Sequence, residues 1–333
     1  MPKLYIEEYG KTLKGKTVLI ACREGILRDH FSDIAADVKF VSRQGIHTLL
    51  YHNLPNRFAN QKHFRKLQER LPRTRIVRIP PEQGFYAAVL KNGEKAHKLI
   101  FLERKYLTDL NGRKLNALTT RKARMVMERY GSLVSNTGFE GIIDQICRKI
   151  EAGLVDRVHI VPAGRHKIKH ELFAIEGSGT LIANDFSEAF SRISSGKETR
   201  IVYDILRRYQ REGFLKPRSR QYIEAHHRSF FVAKIDGIIV GCLEKRTIDA
   251  RAVELGALAI SGRYRNQQIG FFLVNAFLRE ARQQGFREVV SLTRNAKLAR
   301  LYRALGFQET ADPRFRARQE ASPGVPMYRY AFP

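Results

Sequence analysis

In VELGALAISGRYRNQQIGFFLVNAFL an apolar strand, 253–260, gives way to a basic turn and then at once to a helix. Arg265, Asn266, Gln267, Gln268, Ile269 and Gly270 therefore stand at a helix N-terminus. Unpaired N–H groups and the positive end of the helix dipole attract a phosphate there. Gly270 lets the backbone approach such a group closely. Phe271, Val274, Phe277, Leu278 and Ala281 recur at helical spacing and would anchor the helix on a sheet. A second stretch, REGFLKPRSRQYIEAH (211–226), sets Arg218 and Arg220 on either side of a serine at the start of another helix. Two such guanidiniums either grip a small dicarboxylate bidentately or stand as solvated surface charge. A third stretch, ELFAIEGSGT (171–180), carries Glu171 and then Gly177 and Gly179. Glycines at that spacing let a backbone turn tightly or lie close to a ligand.

These segments need scaffolds. The chain of 333 residues is long enough for two domains, each with a core of its own. In the first half, strands at 17–22, 47–51, 75–79, 99–102 and 158–161 alternate with helical periods, including 26–43 and 141–150. That alternation implies an α/β domain with a mostly parallel sheet. A polar run, NDFSEAFSRISSGKET (184–199), suggests a boundary, giving domains 1–190 and 191–333. In the second domain helices at 200–211 and 219–226 precede strands at 230–234, 238–245 and 253–260. A long helix over 269–284, a strand at 289–292, a helix over 296–305 and a strand at 327–331 complete an α+β set.

Composition excludes several classes. Hydrophobic residues make up 43%, as in a globular chain, and no apolar run is long enough to span a bilayer. Cys22, Cys147 and Cys242 lie scattered in apolar segments without paired spacing. They read as core thiols, so neither a disulfide framework nor a zinc site is supported, and a cytoplasmic location is expected. The formal charge of +27 would suit nucleic acid. The basic residues are nevertheless spread through every part of the sequence, with the densest run at 57–78, which reads as a general basic bias rather than a nucleic-acid site.

NAKLARLYRALGF (295–307) places Asn295, Ala299, Leu301, Tyr302, Gly306 and Phe307 on a helix-then-strand unit at fixed offsets. Together with the 265–270 turn it closely resembles the GNAT superfamily of acetyl-CoA-dependent N-acetyltransferases. The resemblance implies that the turn holds the pyrophosphate of coenzyme A, with Gln268 standing where the family pattern has its first glycine. It implies that strand amides around Leu258, Ala259 and Ile260 pair with the pantetheine arm, that Asn295 contacts the coenzyme and that Tyr302 lies near its sulfur. Tyr302 would then be a general acid, the alternative being a ring packed in the core. Glu254 would relay a proton from the attacking amine through water, or be an ordinary strand carboxylate. The PRSR segment and its flanks resemble N-acetylglutamate synthases, which implies L-glutamate as acceptor, Arg218 and Arg220 as its carboxylate ligands, and Arg294 as a weaker third. Another amino acid, a polyamine or a protein lysine would fit the same chemistry, and a non-catalytic basic regulator is the reading from a different class.

The first half resembles the amino-acid-kinase domain found ahead of the acetyltransferase in N-acetylglutamate synthases. LKGKTVLIAC, KLIFLERKYLTDLNGRKLNALTTRKA and GLVDRVHIVPAGRHKIKHELFAIEGSGTLI carry that likeness. The phosphate-holding glycines are missing, because Cys22-Arg23-Glu24-Gly25 and His52-Asn53-Leu54-Pro55 occupy their places. Kinase activity is therefore not expected. The resemblance implies a regulatory L-arginine site at Glu171, Gly177 and Gly179, with Tyr5 and Tyr9 in a segment that could cover it. The alternative is a turn that only completes the fold. It also implies a homo-oligomer.

Overall fold

The structure, a computed structural model, describes residues 3–55, 69, 71, 73–80, 82–91, 95–134, 141–186 and 188–333. Most of the basic run at 57–78 lies outside the described residues. The chain divides into two compact units, Met1–Phe186 and Ser187–Pro333.

The first unit is built on strands β1 (Thr17–Cys22), β2 (His47–His52), β3 (Thr74–Arg78), β4 (Ala96–Glu103), β5 (Ala117–Thr119), β6 (Val155–Pro162) and β7 (Thr180–Ala183). They lie in the order β3-β2-β1-β4-β6-β7-β5. The five from β3 to β6 are parallel, and β7 turns antiparallel onto β6. Both faces are covered. Leu19, Ala21, Leu99 and Phe101 enter one apolar cluster, while Val18, Ile20, Ile100 and Leu102 enter another. This two-sided burial is why TVLIAC is uninterruptedly apolar instead of alternating. The helix expected over 26–43 is two helices, Glu24–Asp29 and Phe31–Arg43, because His30 between them has non-helical torsions and serves as the N-cap of the second. The three cysteines are buried free thiols.

The second unit contains β8 (Glu188–Arg192), β9 (Phe230–Ile235), β10 (Ile238–Thr247), β11 (Ala252–Ile260), β12 (Glu288–Leu292), β13 (Gln308–Thr310) and β14 (Met327–Ala331). Their order is β13-β14-β12-β11-β10-β9-β8. The boundary expected at 190/191 thus falls inside β8, which pairs antiparallel with β9. The segment is polar because β8 is an edge strand, with partly exposed residues along its length, rather than a linker. The helix that follows, Gly196–Arg211, begins in a capping box. Ser195 accepts from the Glu198 amide, and Glu198 reaches back to the Ser194 amide at 2.7 Å. No helix among the described residues is long and apolar enough to cross a membrane.

Candidate active site

The site is a consequence of one strand pair. β11 and β12 run parallel, but their pairing covers only Ala252↔Glu288, Val253↔Val289 and Glu254↔Val290. Past Glu254 the two strands diverge. Ser291 Oγ closes the fork by donating to the Leu255 carbonyl at 2.7 Å. β11 is further turned by a bulge opposite Cys242 and Glu244, where Ala257 takes a φ of +51°. A left-handed torsion at a residue with a Cβ is costly and re-aims the strand. The result is a cavity of about 1100 Å³ between the free edge of β11 and the strand-to-helix junction after β12. Leu255 to Leu258, Ile260, Arg265, Asn266, Gln268 to Phe271, Ser291 to Leu298 and Tyr302 all line it.

The sequence-predicted turn lies on this wall. The helix Ile269–Gln283 starts from Gln268, whose φ of +61° is the left-handed conformation that a glycine would adopt, and Asn266 matches it at +66°. The substitution of Gln268 for glycine is therefore accommodated in the backbone. Gln268 makes no side-chain cap bond to this helix, and Gln268 to Phe271 line the cavity. Gly270 has a helical position in which a Cβ would make only an ordinary 3.5 Å contact with Leu301. Ala259 pairs with Cys242 on the opposite side of β11 and is not among the lining residues.

Tyr302 lies on the helix Ala296–Ala304, buried, with its hydroxyl 2.8 Å from Ser291 Oγ. Burial pushes this hydroxyl well above the ordinary tyrosine range; the Ser291 hydrogen bond opposes that shift and the Glu254 charge adds to it. The group therefore keeps its proton at neutral pH and can give it to a stronger base formed beside it. The core-packing reading is also satisfied, since the ring contacts Phe307 and Tyr328. Asn295 is the N-cap of the same helix, accepting from the Lys297 and Leu298 amides at 2.9 and 3.3 Å. Its side-chain amide nitrogen is the part available to a ligand.

Four expected residues have protein partners of their own. Glu254 is buried with Arg318 on both its oxygens, at 2.6 and 2.8 Å, and so anchors an ion pair. Arg218 commits its fork to Glu244 at 2.7 Å and to the Lys216 carbonyl at 3.1 Å, leaving only 8% of the side chain exposed. Arg220 points elsewhere and pairs with Glu224 one turn on. The two arginines diverge because Ser219 between them is the N-cap of the helix Arg220–Ala225, where the chain changes direction. Arg294 donates to the carbonyls of Pro323 and Gly324 and so staples a loop. The structure brings forward residues that sequence reasoning missed: Glu244, which accepts from Arg218, Arg246 and Tyr222, and Ser291. Their only signal was a polar residue interrupting an apolar strand, at GCLEK and VVSLT.

In the first unit, Glu171 is buried on the helix Lys167–Phe173. Its Oε2 accepts from the Ser178 and Gly179 amides at 2.5 and 2.7 Å, and its Oε1 meets His159 Nδ1 at 2.5 Å. Gly177 needs its positive φ of +59°, and a Cβ at Gly179 would collide with the Ile160 carbonyl. The glycines therefore serve close backbone packing, and the carboxylate and amides assigned to arginine are already each other's partners. Tyr5 does sit beside this helix, its amide donating to the Phe173 carbonyl, and Tyr9 packs on the same cluster. Among the described residues no group of three His, Cys, Asp or Glu side chains is placed to hold a metal.

A forked parallel pair, a bulged strand with a free edge, an uncapped amide-rich turn and a buried tyrosine at the fork define an acyltransferase-type fold in the second unit. Residues 199–307 match the model of the Acetyltransferase (GNAT) family, so this unit carries a GNAT domain. The chain is similar to an amino-acid acetyltransferase of Pseudomonas fluorescens (strain SBW25), with 30% identity over 203 residues, 60% of this chain and 45% of that protein. An amino-acid acetyltransferase of Azotobacter vinelandii (strain DJ) is 29% identical over 227 residues, 67% of this chain and 50% of that one. The matches thus span about half the length of these relatives. Among solved structures, N-acetylglutamate synthase from Neisseria gonorrhoeae complexed with coenzyme A and L-arginine aligns over 98% of each chain, with a TM-score of 0.54 at 18% identity. That likeness extends a common fold over both units.

Proposed function

We propose that the second unit transfers the acetyl group of acetyl-CoA to the α-amine of an amino acid, with L-glutamate as the acceptor that the sequence resemblance implies. The observation that carries the reading is the fork itself, with Tyr302 and Ser291 at its base and a free strand edge leading away from them. Arg265, Asn266, Gln267, Gln268, Ile269 and Gly270 would hold the diphosphate, and Leu258, Ile260 and Asn295 would hold the arm. The coenzyme supplies an acetyl group activated as a thioester. The cleft walls orient acceptor and donor and exclude water, which supplies much of the rate in a direct transfer. Tyr302 gives its proton to the departing thiolate and is reprotonated by the proton that the acceptor amine loses as its bond to the acetyl carbon forms, with Ser291 positioning the hydroxyl.

An amino-acid acceptor is supported by the activity named for the relatives and by local charge. Gly256, on the cavity wall, adjoins Glu254 and Arg218. Behind it Arg218 and Arg246 share the Glu244 carboxylate and Arg318 pairs with Glu254, so three guanidiniums are set against two carboxylates. The surplus cation favours an acceptor bearing a carboxylate over a polyamine. In this reading the Gly177–Gly179 turn is structural. The test is thiol release from acetyl-CoA across L-glutamate, other amino acids, spermidine and a lysine peptide. Glutamate should be the best acceptor. Preference for spermidine or the peptide would overturn the acceptor, and no release with any of them would overturn the activity.

A further inference from the structure

Two of the groups that the coenzyme would need are held by the C-terminal turn of the helix Gly196–Arg211 and the residue after it. The Tyr209 hydroxyl donates to the Ile260 carbonyl at 2.9 Å and accepts from the Ile260 amide at 3.1 Å. Those are backbone groups on the free edge of β11, since Ser261, the next residue, has its amide on Val240 of β10. Arg265, the first residue of the diphosphate turn, stacks its guanidinium 5.0 Å from the centre of the Tyr209 ring. Its Nη2 stands 3.5 Å from Glu212. Tyr209, Glu212, Ile260 and Arg265 all line the same cavity.

We propose that Tyr209 and Glu212 are displaceable occupants of the coenzyme groove, which makes them determinants of coenzyme affinity. The tyrosine hydroxyl both donates and accepts, as an amide of a pantetheine arm does, and it satisfies the strand edge at Ile260. The Glu212 carboxylate stands in for a phosphate at Arg265. Their chemistry matches, half for half, the two polar parts of the ligand. Their effect on affinity is a fixed ratio. Apparent affinity falls by the fraction of molecules in which the groove is open. Each contact is partly exposed and individually modest, so removing it should tighten binding about two- to tenfold.

This inference rests on the proposed coenzyme reading, and the experiment separates the two. Calorimetric titration of the full chain with coenzyme A comes first: absence of binding to the wild type would overturn the coenzyme reading itself, and the inference with it. Given binding, Tyr209→Phe and Glu212→Gln should each lower the dissociation constant for coenzyme A. Pantetheine, which has no diphosphate, should bind tighter to Tyr209→Phe but equally to Glu212→Gln. If both residues instead brace Arg265 for the diphosphate, both substitutions weaken coenzyme A binding. Weakened or unchanged binding in these variants overturns the inference while the coenzyme reading stands.

Discussion

At the carboxyl ends of β1, β2 and β4 the first unit is closed by its own side chains. At the carboxyl ends of β11 and β12 the second is held open. In open α/β sheets ligands bind outside the carboxyl ends of the strands, so the two places are comparable. In the first unit Arg23 reaches Glu103 at 2.8 Å and the Tyr86 hydroxyl donates to the same carboxylate at 2.5 Å. Asn53 accepts from the Glu24 amide, and Arg78 donates to the Leu54 carbonyl. The strand ends carry a side-chain network, and burial holds the Glu103 carboxyl above the ordinary range despite Tyr86 and Arg23. The Glu171 turn repeats the pattern on a smaller scale, with a carboxylate filling an amide nest. In the second unit, the fork leaves a strand edge and helix amides facing a cavity. A protein can keep a sheet's architecture and cancel or keep its ligand place through a few long-range partners.

The comparison breaks most sharply at Tyr302. Tyr302→Phe should lower kcat about 10²- to 10⁴-fold, with coenzyme A binding retained by calorimetry. Unchanged turnover would reduce the residue to packing. The pH profile sharpens this test: because the hydroxyl is shifted upward, its deprotonation should cause no loss of rate below about pH 10.

Next in size is the closed turn. Glu171→Ala would leave two amides without their acceptor and His159 without its carboxylate, at a cost of about 3–5 kcal/mol. Calorimetric unfolding of the full chain should show one transition lowered while coenzyme A still binds. A loss below 1 kcal/mol would mean that the nest does not hold the unit together.

A smaller effect belongs to His52. Its Nδ1 accepts from the Leu54 amide at 3.1 Å, and burial, with the Arg78 charge adding, depresses it to about 4. The folded state thus resists a proton that the unfolded chain takes up near pH 6.5. This contribution is fully present above pH 6.5 and is lost as pH falls through about 4, amounting to roughly 3 kcal/mol. His52→Asn, which keeps an acceptor at that place but cannot titrate, should flatten the decline in unfolding temperature between those pH values.

The smallest effect expected is none. Saturating L-arginine should shift neither the unfolding temperature nor the rate, because it would have to displace Glu171 from its own nest. A shift in either would show that the nest opens.

Much of this was legible in the residues alone. Uninterrupted apolar runs such as TVLIAC and the helical recurrence of Phe271 to Ala281 locate strands and helices, because burial imposes their period on the sequence. The basic turn before the long helix and the Asn295–Tyr302 spacing are local as well, and the structure sets both on one cavity wall. The sequence could not reveal whether a charged side chain there is spoken for. Arg218 and Glu244 are 26 residues apart, Arg318 and Glu254 64, and Arg23 and Glu103 80. Tyr209 meets Ile260 across 51 residues. A helix or strand follows from its own few residues, whereas an ion pair or a hydrogen bond to a strand edge depends on register, bulges and packing fixed by the whole fold. Near-neighbour patterns thus determined which segments line the candidate site; the tertiary structure alone decided that Glu171, Glu254 and Arg218 are paired with side chains or amides of the chain, and that Tyr302 stands at the open fork.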